Sequence, residues 1–542
     1  MNKSLLCVLF FFLSVLVFGQ KSKKGNVFSN AADETKLFTA RQKLYAGEYL
    51  SALNMFRVVE KDNPGNAAVK YYIGLCHFHL GQIPDAKKSL KSAVAIGGQV
   101  KPETHFLLGK IYQSEDSVEL AIREFSVYKA APSKDKETEE DADTYLRQCE
   151  NAKTLMAAPV PVTISNLGAE INSKYDDKNP CITADGQRLV FTTRRPETTN
   201  DPLDIDGDGK YFENIYTATL DSATGQFGKA AGVSRAINTK AHAAVTSISP
   251  DGKQIFIYYN DIHDASKRGG NIFVSKVVNS KWKTPESLGK PINSSYWEGG
   301  VCISPDGKRY FFSSERKGGY GGSDIWMVEK KNKKEWGQPV NLGPEINTPY
   351  DEGGMFLAPD GKTLFFCSNG PNSMGSYDVF KTVYEKGKWS APANLGYPIN
   401  SSGKEGQLTI SADARYAYIS SDRKGGFGEN DIYRIDLGEF AILEADGKKK
   451  TGNELSILKG TIREGFEGYG MPDVEIILKD EQDQQIASTS TNESGEYFFT
   501  LRSGTYRLLV RKKGFAEIRE TIELGASGKE TLILEKGYLL QK

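Results

Sequence analysis

The phrase SSERKGGYGGSDIW (Ser313–Trp326) returns about a hundred residues later as SSDRKGGFGENDIY (Ser420–Tyr433). A glycine-rich run of this kind suggests a phosphate cradle. Phosphate loops, however, follow a strand and open a helix, whereas each copy here leads into an aromatic strand pattern, DIW or DIY. The reading is therefore a structural loop inside a repeated unit. Its glycines permit positive φ. Asp324, Asp378 and Asp431 stand just before the strand, where a carboxylate accepts turn N–H groups. Arg316 and Arg423 are expected to bond carbonyls or that Asp.

The rest of the unit is legible on both sides of the loop. An LGxxIN phrase spans Leu167–Asn172, Leu288–Asn293, Leu342–Asn347 and Leu395–Asn400, with the degenerate VSRAIN ending at Asn238. Behind each comes an SPDGK-like turn, with Gly186, Gly252, Gly307, Gly361 and then Ala414 at the turn position. An aromatic strand such as YFFSS follows, then NIY, NIF, DIW, DVF or DIY, then WxxPxxLG. Each unit thus holds about four short strands with an Asp-Gly turn between the first two. Five units over residues 160–440 predict a five-bladed β-propeller. The last unit lacks a WxxPxxLG segment, while PVTISNLG (Pro161–Gly168) precedes the first. That N-terminal strand is predicted to complete the last blade and seal the ring.

Two further regions flank the repeat, making the chain multidomain. Residues 32–155 have a helical pattern in which Ala52, Ala86 and Ala121 stand 34 and 35 residues apart. Gly74 and Gly109, the latter with Tyr112, give Gly–aromatic pairs on the first helix. This resembles the tetratricopeptide repeat, although Lys36 and Lys70 occupy the place of its consensus Trp. The resemblance implies an α-helical solenoid with a concave face. Residues 455–536 alternate at period two, with turn signals between the runs. GTI, PDVEI, ESGEYFF and GTYRLLV in this order resemble the carboxypeptidase regulatory-like domain, a small transthyretin-like β-sandwich.

Of the 542 residues, Lys+Arg and Asp+Glu number 69 each, which favours neither nucleic acid nor an anionic membrane as partner. Residues 1–19 carry Lys3 and the apolar run Leu5–Gly19, a secretory signal peptide with cleavage expected after Gly19. No Cys follows the cleavage point, so a lipoprotein is not expected, and no later segment is apolar enough to span a bilayer. Cys76, Cys149, Cys181, Cys302 and Cys367 are odd in number and scattered, which argues for core thiols over a disulfide framework.

Candidate chemistry is sparse. Asp204, Asp206 and Asp208 alternate before Gly209 and resemble the first half of a calcium loop, with Glu213 two positions early for its last ligand and Ile215 at position twelve. Calcium is the one cofactor this pattern suggests. Cys76, His77 and His79 lack the i,i+4 spacing of a helical metal site. There is no G-x-S-x-G, no H-E-x-x-H and no P-loop, and the SPDGK turn lacks the Trp and the glycine spacing of a sialidase Asp-box. Paired carboxylates such as Asp351–Glu352 fall in loops at the start of the repeated units.

The order helical repeats, TolB- or WD40-like propeller, regulatory-like sandwich resembles the OmpA-family periplasmic proteins of Bacteroidetes-type bacteria, the group that includes PorE of type IX secretion. No OmpA-like peptidoglycan-binding segment follows the sandwich in this sequence, so wall anchoring is not carried over. The resemblance implies a non-enzymatic periplasmic or cell-envelope scaffold whose partners are outer-membrane, secretion-machinery or peptidoglycan-associated proteins. Two alternatives stay open: a carbohydrate- or peptide-binding surface propeller, and a propeller hydrolase with acids in its central funnel.

Overall fold

The computed structural model describes residues 27–542 except 99, 133–140, 199, 205–208, 240, 261–269, 279–280, 333–334, 444–454, 466–467 and 526–531. The expected signal peptide lies outside the described residues.

Seven helices come first: α1 (Val27–Tyr45), α2 (Tyr49–Asp62), α3 (Ala67–His79), α4 (Ile83–Ile96), α5 (Glu103–Ser114), α6 (Val118–Ala130) and α7 (Ala142–Met156). Each packs on the next in the chain. The small residues of the 34-residue period lie where helices approach. Ala52, Ala86 and Ala121 are fully buried. A Cβ on Gly74 would come 2.7 Å from Leu90 Cγ, and one on Gly109 would come 2.6 Å from the Phe125 ring. Both glycines therefore set the distance between paired helices. The aromatic core between the helices includes Phe56, Phe106, Phe125 and Tyr128. Side chains cap two of the helices: Asn66 accepts from Val69 N at the start of α3, and Asp141 accepts from Thr144 N at the start of α7.

Next come five antiparallel sheets of four or five strands, curled in a propeller-like arrangement. Their innermost strands are Asp177–Ile182, His242–Ile248, Glu298–Ile303, Glu352–Leu357 and Glu405–Ile410. Each inner strand packs on its neighbours in that order, and the fifth packs on the first. Every inner strand carries a register shift, such as Glu298/Gly300 or Glu405/Leu408. One extra residue bends and twists the strand there. The ring closes with the N-terminal strand: Thr163–Asn166 pairs antiparallel with Asp431–Asp436 and becomes the outer strand of the fifth sheet.

Two smaller sheets form the C-terminal β domain. One is built on Leu455–Glu464 and Glu496–Arg502, the other runs Gln485–Ser490, Glu475–Lys479, Gly504–Arg511, Ile518–Leu524. Leu458, Ile462, Val474, Ile476, Tyr497 and Leu508 fill the space between them. Leu455 and Ile457 pack with Ala184 and Ala412 of the ring, and Thr500 Oγ1 donates to Pro359 O at 2.6 Å. The five cysteines from Cys76 to Cys367 are all buried and unpaired.

Candidate functional site

The repeated phrases meet at one end of each sheet. Five residues after the Asn of LGxxIN stands Asp177, Ala243, Glu298, Glu352 or Glu405, the first or second residue of the inner strand. The four carboxylates are buried. Each accepts from the backbone N–H and the hydroxyl of the residue after that Asn: Ser173, Ser294, Thr348 or Ser401. A second hydroxyl reaches the same carboxylate from the neighbouring strand: Thr193 to Asp177, Ser314 to Glu298 at 3.0 Å, Ser368 to Glu352 at 2.9 Å and Ser421 to Glu405 at 2.8 Å.

An arginine two residues beyond that strand hydroxyl supplies the countercharge. Arg195 is 2.7 Å from Asp177, Arg316 3.3 Å from Glu298 and Arg423 3.1 Å from Glu405. The same guanidiniums donate to carbonyls of the LGxxIN loop, Arg316 to Pro291 and Ile292, Arg423 to Pro398 and Ile399. Carbonyl binding was expected of these arginines. Their anionic partner is the inner-strand glutamate, however, and not Asp324 or Asp431. The fourth sheet has Gly370 where the first, third and fifth have arginine. Glu352 there keeps its hydroxyls but has no guanidinium. Burial pushes its carboxyl up to about 7, against the lowering effect of the Thr348 and Ser368 bonds.

Asp324, Asp378 and Asp431 accept turn N–H groups as expected. Asp324 takes Tyr320 N and Gly321 N, Asp378 takes Met374 N and Gly375 N, and Asp431 takes Phe427 N and Gly428 N. Asn341, Asn394 and Asn166 of the outer strands donate to the same three carboxylates. The loop glycines have two separate reasons to be glycine. Gly318 and Gly425 take φ of +94°, a region that disfavours side chains. Gly321, Gly375 and Gly428 are needed for another reason: a Cβ there would stand 2.1, 2.1 and 2.0 Å from a backbone carbonyl of the adjoining unit. Sequence reasoning missed this second role, because close approach leaves no mark beyond the glycine itself.

The LGxxIN asparagines clamp consecutive sheets. Asn347 accepts from Ile325 N and donates to Ile325 O, and Asn400 does the same with Val379. Asn172 makes this pair of bonds with Ile432, at 2.8 and 2.9 Å, and so clamps the first unit to the last. The channel between the inner strands is crossed at one level, and Ile182, Ile248, Ile303, Leu357 and Ile410 line a cavity of about 20 Å³ elsewhere in it. Gln407 Nε2 donates to Thr246 O at 2.9 Å across the channel, and a Cβ on Gly300 would already touch Thr246 and Met355.

The fourth sheet's loop, NGPNSMGSYD, departs from the others because it carries the helices. Met374 takes the place of Tyr320 and Phe427. Those two aromatics are half exposed, whereas Met374 is fully buried in the helical core. Asn151 of α7 donates to Pro371 O and Ser373 O at 2.8 and 2.9 Å, and Gln148 donates to Asn369 O at 3.1 Å. Ser402 of the fifth unit donates to Gln113 O and Asp116.

The predicted calcium ligands are divided. Asp206 and Asp208 lie outside the described residues. Asp204 Oδ2 is 3.1 Å from His242 Nε2, and Glu213 lies on the other side of the ring, 3.5 Å from Nδ1. Lys178 bridges Glu213 at 2.7 Å and Asp176 at 2.9 Å. Burial pushes the Glu213 carboxyl up, but Lys178, His242 and Arg194 outweigh it and hold Glu213 well below the carboxylate range. Burial lowers His242, and Glu213 and Asp204 overcome this and raise it. Among the described residues no group of three or more His, Cys, Asp or Glu is placed to hold a metal ion. Cys76, His77 and His79 also diverge: His77 bonds Gln82, and His79 stacks on Tyr49 at 4.4 Å.

Residues 457–535 match the carboxypeptidase regulatory-like domain family. This segment of the chain carries that domain. No curated protein matches the chain. Among solved structures, the Bacteroides ovatus xyloglucan PUL GH43B is 10% identical, with 67% of this chain and 92% of that one covered at a TM-score of 0.33. A xylan beta-1,4-xylosidase from Bacillus halodurans is 12% identical, with 65% and 91% covered at 0.33. An alpha-L-arabinofuranosidase from Lactobacillus brevis is 13% identical, with 48% and 90% covered at 0.30. Scores this low carry no argument about activity. Among the described residues no helix is long and apolar enough to cross a membrane.

Proposed function

We propose that the chain is an exported, non-enzymatic scaffold of the periplasm or cell envelope. In this reading a tetratricopeptide-like solenoid (32–155), a five-bladed propeller (160–440) and the regulatory-like sandwich (455–536) present binding surfaces to protein partners, such as outer-membrane or secretion-machinery subunits. One observation carries the reading: the inner-strand acids of the ring are consumed by its own architecture. Asp177, Glu298 and Glu405 are buried against hydroxyls and arginines, Glu352 is buried against hydroxyls, and Gln407 crosses the channel to Thr246. A glycosidase needs two carboxyls reaching one sugar from an open pocket. The docked helices and the C-terminal domain favour binding surfaces instead.

The test is an affinity pull-down of the tagged protein from native envelope, followed by mass spectrometry. Stoichiometric envelope subunits, lost on deleting residues 32–155 or the ring, are the expected outcome. A clean eluate, together with glycoside turnover lost on Glu352→Gln, would overturn the reading.

A further inference from the structure

Sheets must deal with their edges, because an unpaired edge offers N–H and C=O groups to any extended chain. The two edges of the four-stranded C-terminal sheet are treated differently. Ile518–Leu524, at one end, carries Arg519, Glu520 and Glu523. Charges of this kind discourage pairing. Gln485–Ser490, at the other end, reads QIASTS and carries no charge and no proline. Among the described residues its only ladder partner is Glu475–Lys479. Its residues are exposed or half-buried, with Ile486 49% exposed. In an antiparallel strand alternate residues point both backbone groups to the same side, so every second residue here offers them to the open edge.

The surroundings of this edge are also unusual. It runs along two clefts between the C-terminal domain and the turn end of the ring, of about 790 and 430 Å³. Ser488, Thr489 and Ser490 line the larger cleft, and Gln485, Ile486 and Ala487 line the smaller. The facing wall of the larger cleft holds Lys253, Lys276, Lys308, Lys330 and Lys331, and the C-terminal side holds Asp473, Glu475, Glu493 and Glu496, of which Glu496 pairs with Lys253 and Glu475 with Arg511. The carboxylates of that wall are occupied by their own turns. Asp251 accepts from Ser249 and Lys253 N, and Asp306 from Ser304 and Lys308 N. Lys308 Nζ donates to Ser488 Oγ at 3.0 Å, across the cleft to the edge strand itself. Lys276 and Lys330 have no carboxylate within ion-pair distance among the described residues. Burial, and then Lys276, pushes the Lys330 ammonium down, with Asp306 acting against them, and its Nζ lies 5.2 Å from the Trp336 ring centroid.

We propose that Gln485–Ser490 is a strand-addition site for an extended peptide segment of another protein, whose acidic side chains meet Lys276, Lys330 and Lys331. The backbone of the edge supplies affinity, and the lysine wall selects carboxylates over other peptides. This deepens the scaffold reading by naming a partner chemistry. Its test is separate, because it uses purified protein and needs no envelope.

The biotinylated full chain is panned against a random twelve-residue peptide display library. The selected peptides are then used in hydrogen exchange and fluorescence binding. Enriched peptides should place Asp or Glu at alternate positions and slow exchange at 485–490. Charge reversal by Lys276→Glu with Lys330→Glu should weaken them about tenfold, and Ile486→Lys should weaken them as well. Both changes are on exposed or cleft-lining side chains, and an unchanged melting temperature establishes folding. Three results would each overturn the proposal: peptides without acidic alternation, protection elsewhere on the chain, or dimerisation in sedimentation through 485–490, which would make the occupant a second copy.

Discussion

Arg423→Ala tests the account of the ring most directly. Arg423 donates to Ser421 Oγ, to the carbonyls of Pro398 and Ile399, and to buried Glu405, and it lies 5.2 Å from the Tyr433 ring centroid. Removing the cation leaves a buried carboxylate unpaired, which costs about 3–5 kcal/mol when the acid is ionised. The fourth sheet offers the comparison, although burial raises the Asp177 carboxyl too in spite of Arg195. Glu352, without an arginine, has its carboxyl pushed up to about 7 from an ordinary 4.5. Glu405 in the variant should behave alike. Its fold then prefers the neutral acid, so the stability that this acid provides is present below about pH 4.5 and is lost as pH rises through 7. A shift of that size corresponds to about 3 kcal/mol. The destabilisation by Arg423→Ala should thus be larger at pH 8 than at pH 5 by about 2–3 kcal/mol. Urea unfolding with hydrogen exchange read at 405–410 and 416–421 measures this sheet by itself. An equal loss at both pH values would refute the argument, since it would mean that Glu405 finds another counterion or stays ionised at no cost.

Four other outcomes are expected from the same contacts. Asn172→Ala removes both bonds to Ile432 at the seam and should cost about 1–3 kcal/mol, read as faster proteolysis between residues 157 and 163. Gly428→Ala puts a Cβ on Tyr175 O and should lower the melting temperature well beyond the effect of Gly168→Ala, whose surroundings are open although its φ is positive. Met374→Glu buries a charge in the helical core and should release the helices from the ring, visible as an increase in radius of gyration by small-angle scattering with the ring's own exchange protection intact. His242 is raised in the folded state, so its contribution is present below pH 6.5 and is lost as pH climbs above it. His242→Gln should therefore flatten the stability profile above pH 6, as measured by thermal unfolding across pH 5–9.

Much of this fold is written locally. The Asp-Gly turns, the aromatic strands and the LGxxIN phrases recur because each sheet repeats one set of backbone problems, and a repeated problem leaves a repeated sequence. The missing outer strand of the last unit and the spare strand Thr163–Asn166 could be matched on that ground alone, since an incomplete sheet leaves an unsatisfied edge. The helical period was legible for a similar reason: buried Ala86 and Ala121, with Gly74 and Gly109 on the facing helices, are required wherever two helices cross closely. What the sequence could not determine is who meets whom across long distances. The partner of Arg423 is Glu405, eighteen residues back and buried, and nothing in RKGG separates it from nearby Asp431. Gly370 and Met374 look like decay of the repeat, and only the packing of α7 and the helical core on that loop shows them to be an adaptation to docking. Glu213 stands in a calcium-like pattern of the sequence, which says nothing of Lys178 and His242, brought to it from other strands by the fold. Local chemistry fixes strands, turns and caps because their partners are a few residues away. Charge pairing and domain docking depend on which distant surfaces the closed ring brings together, and only the tertiary structure decides that.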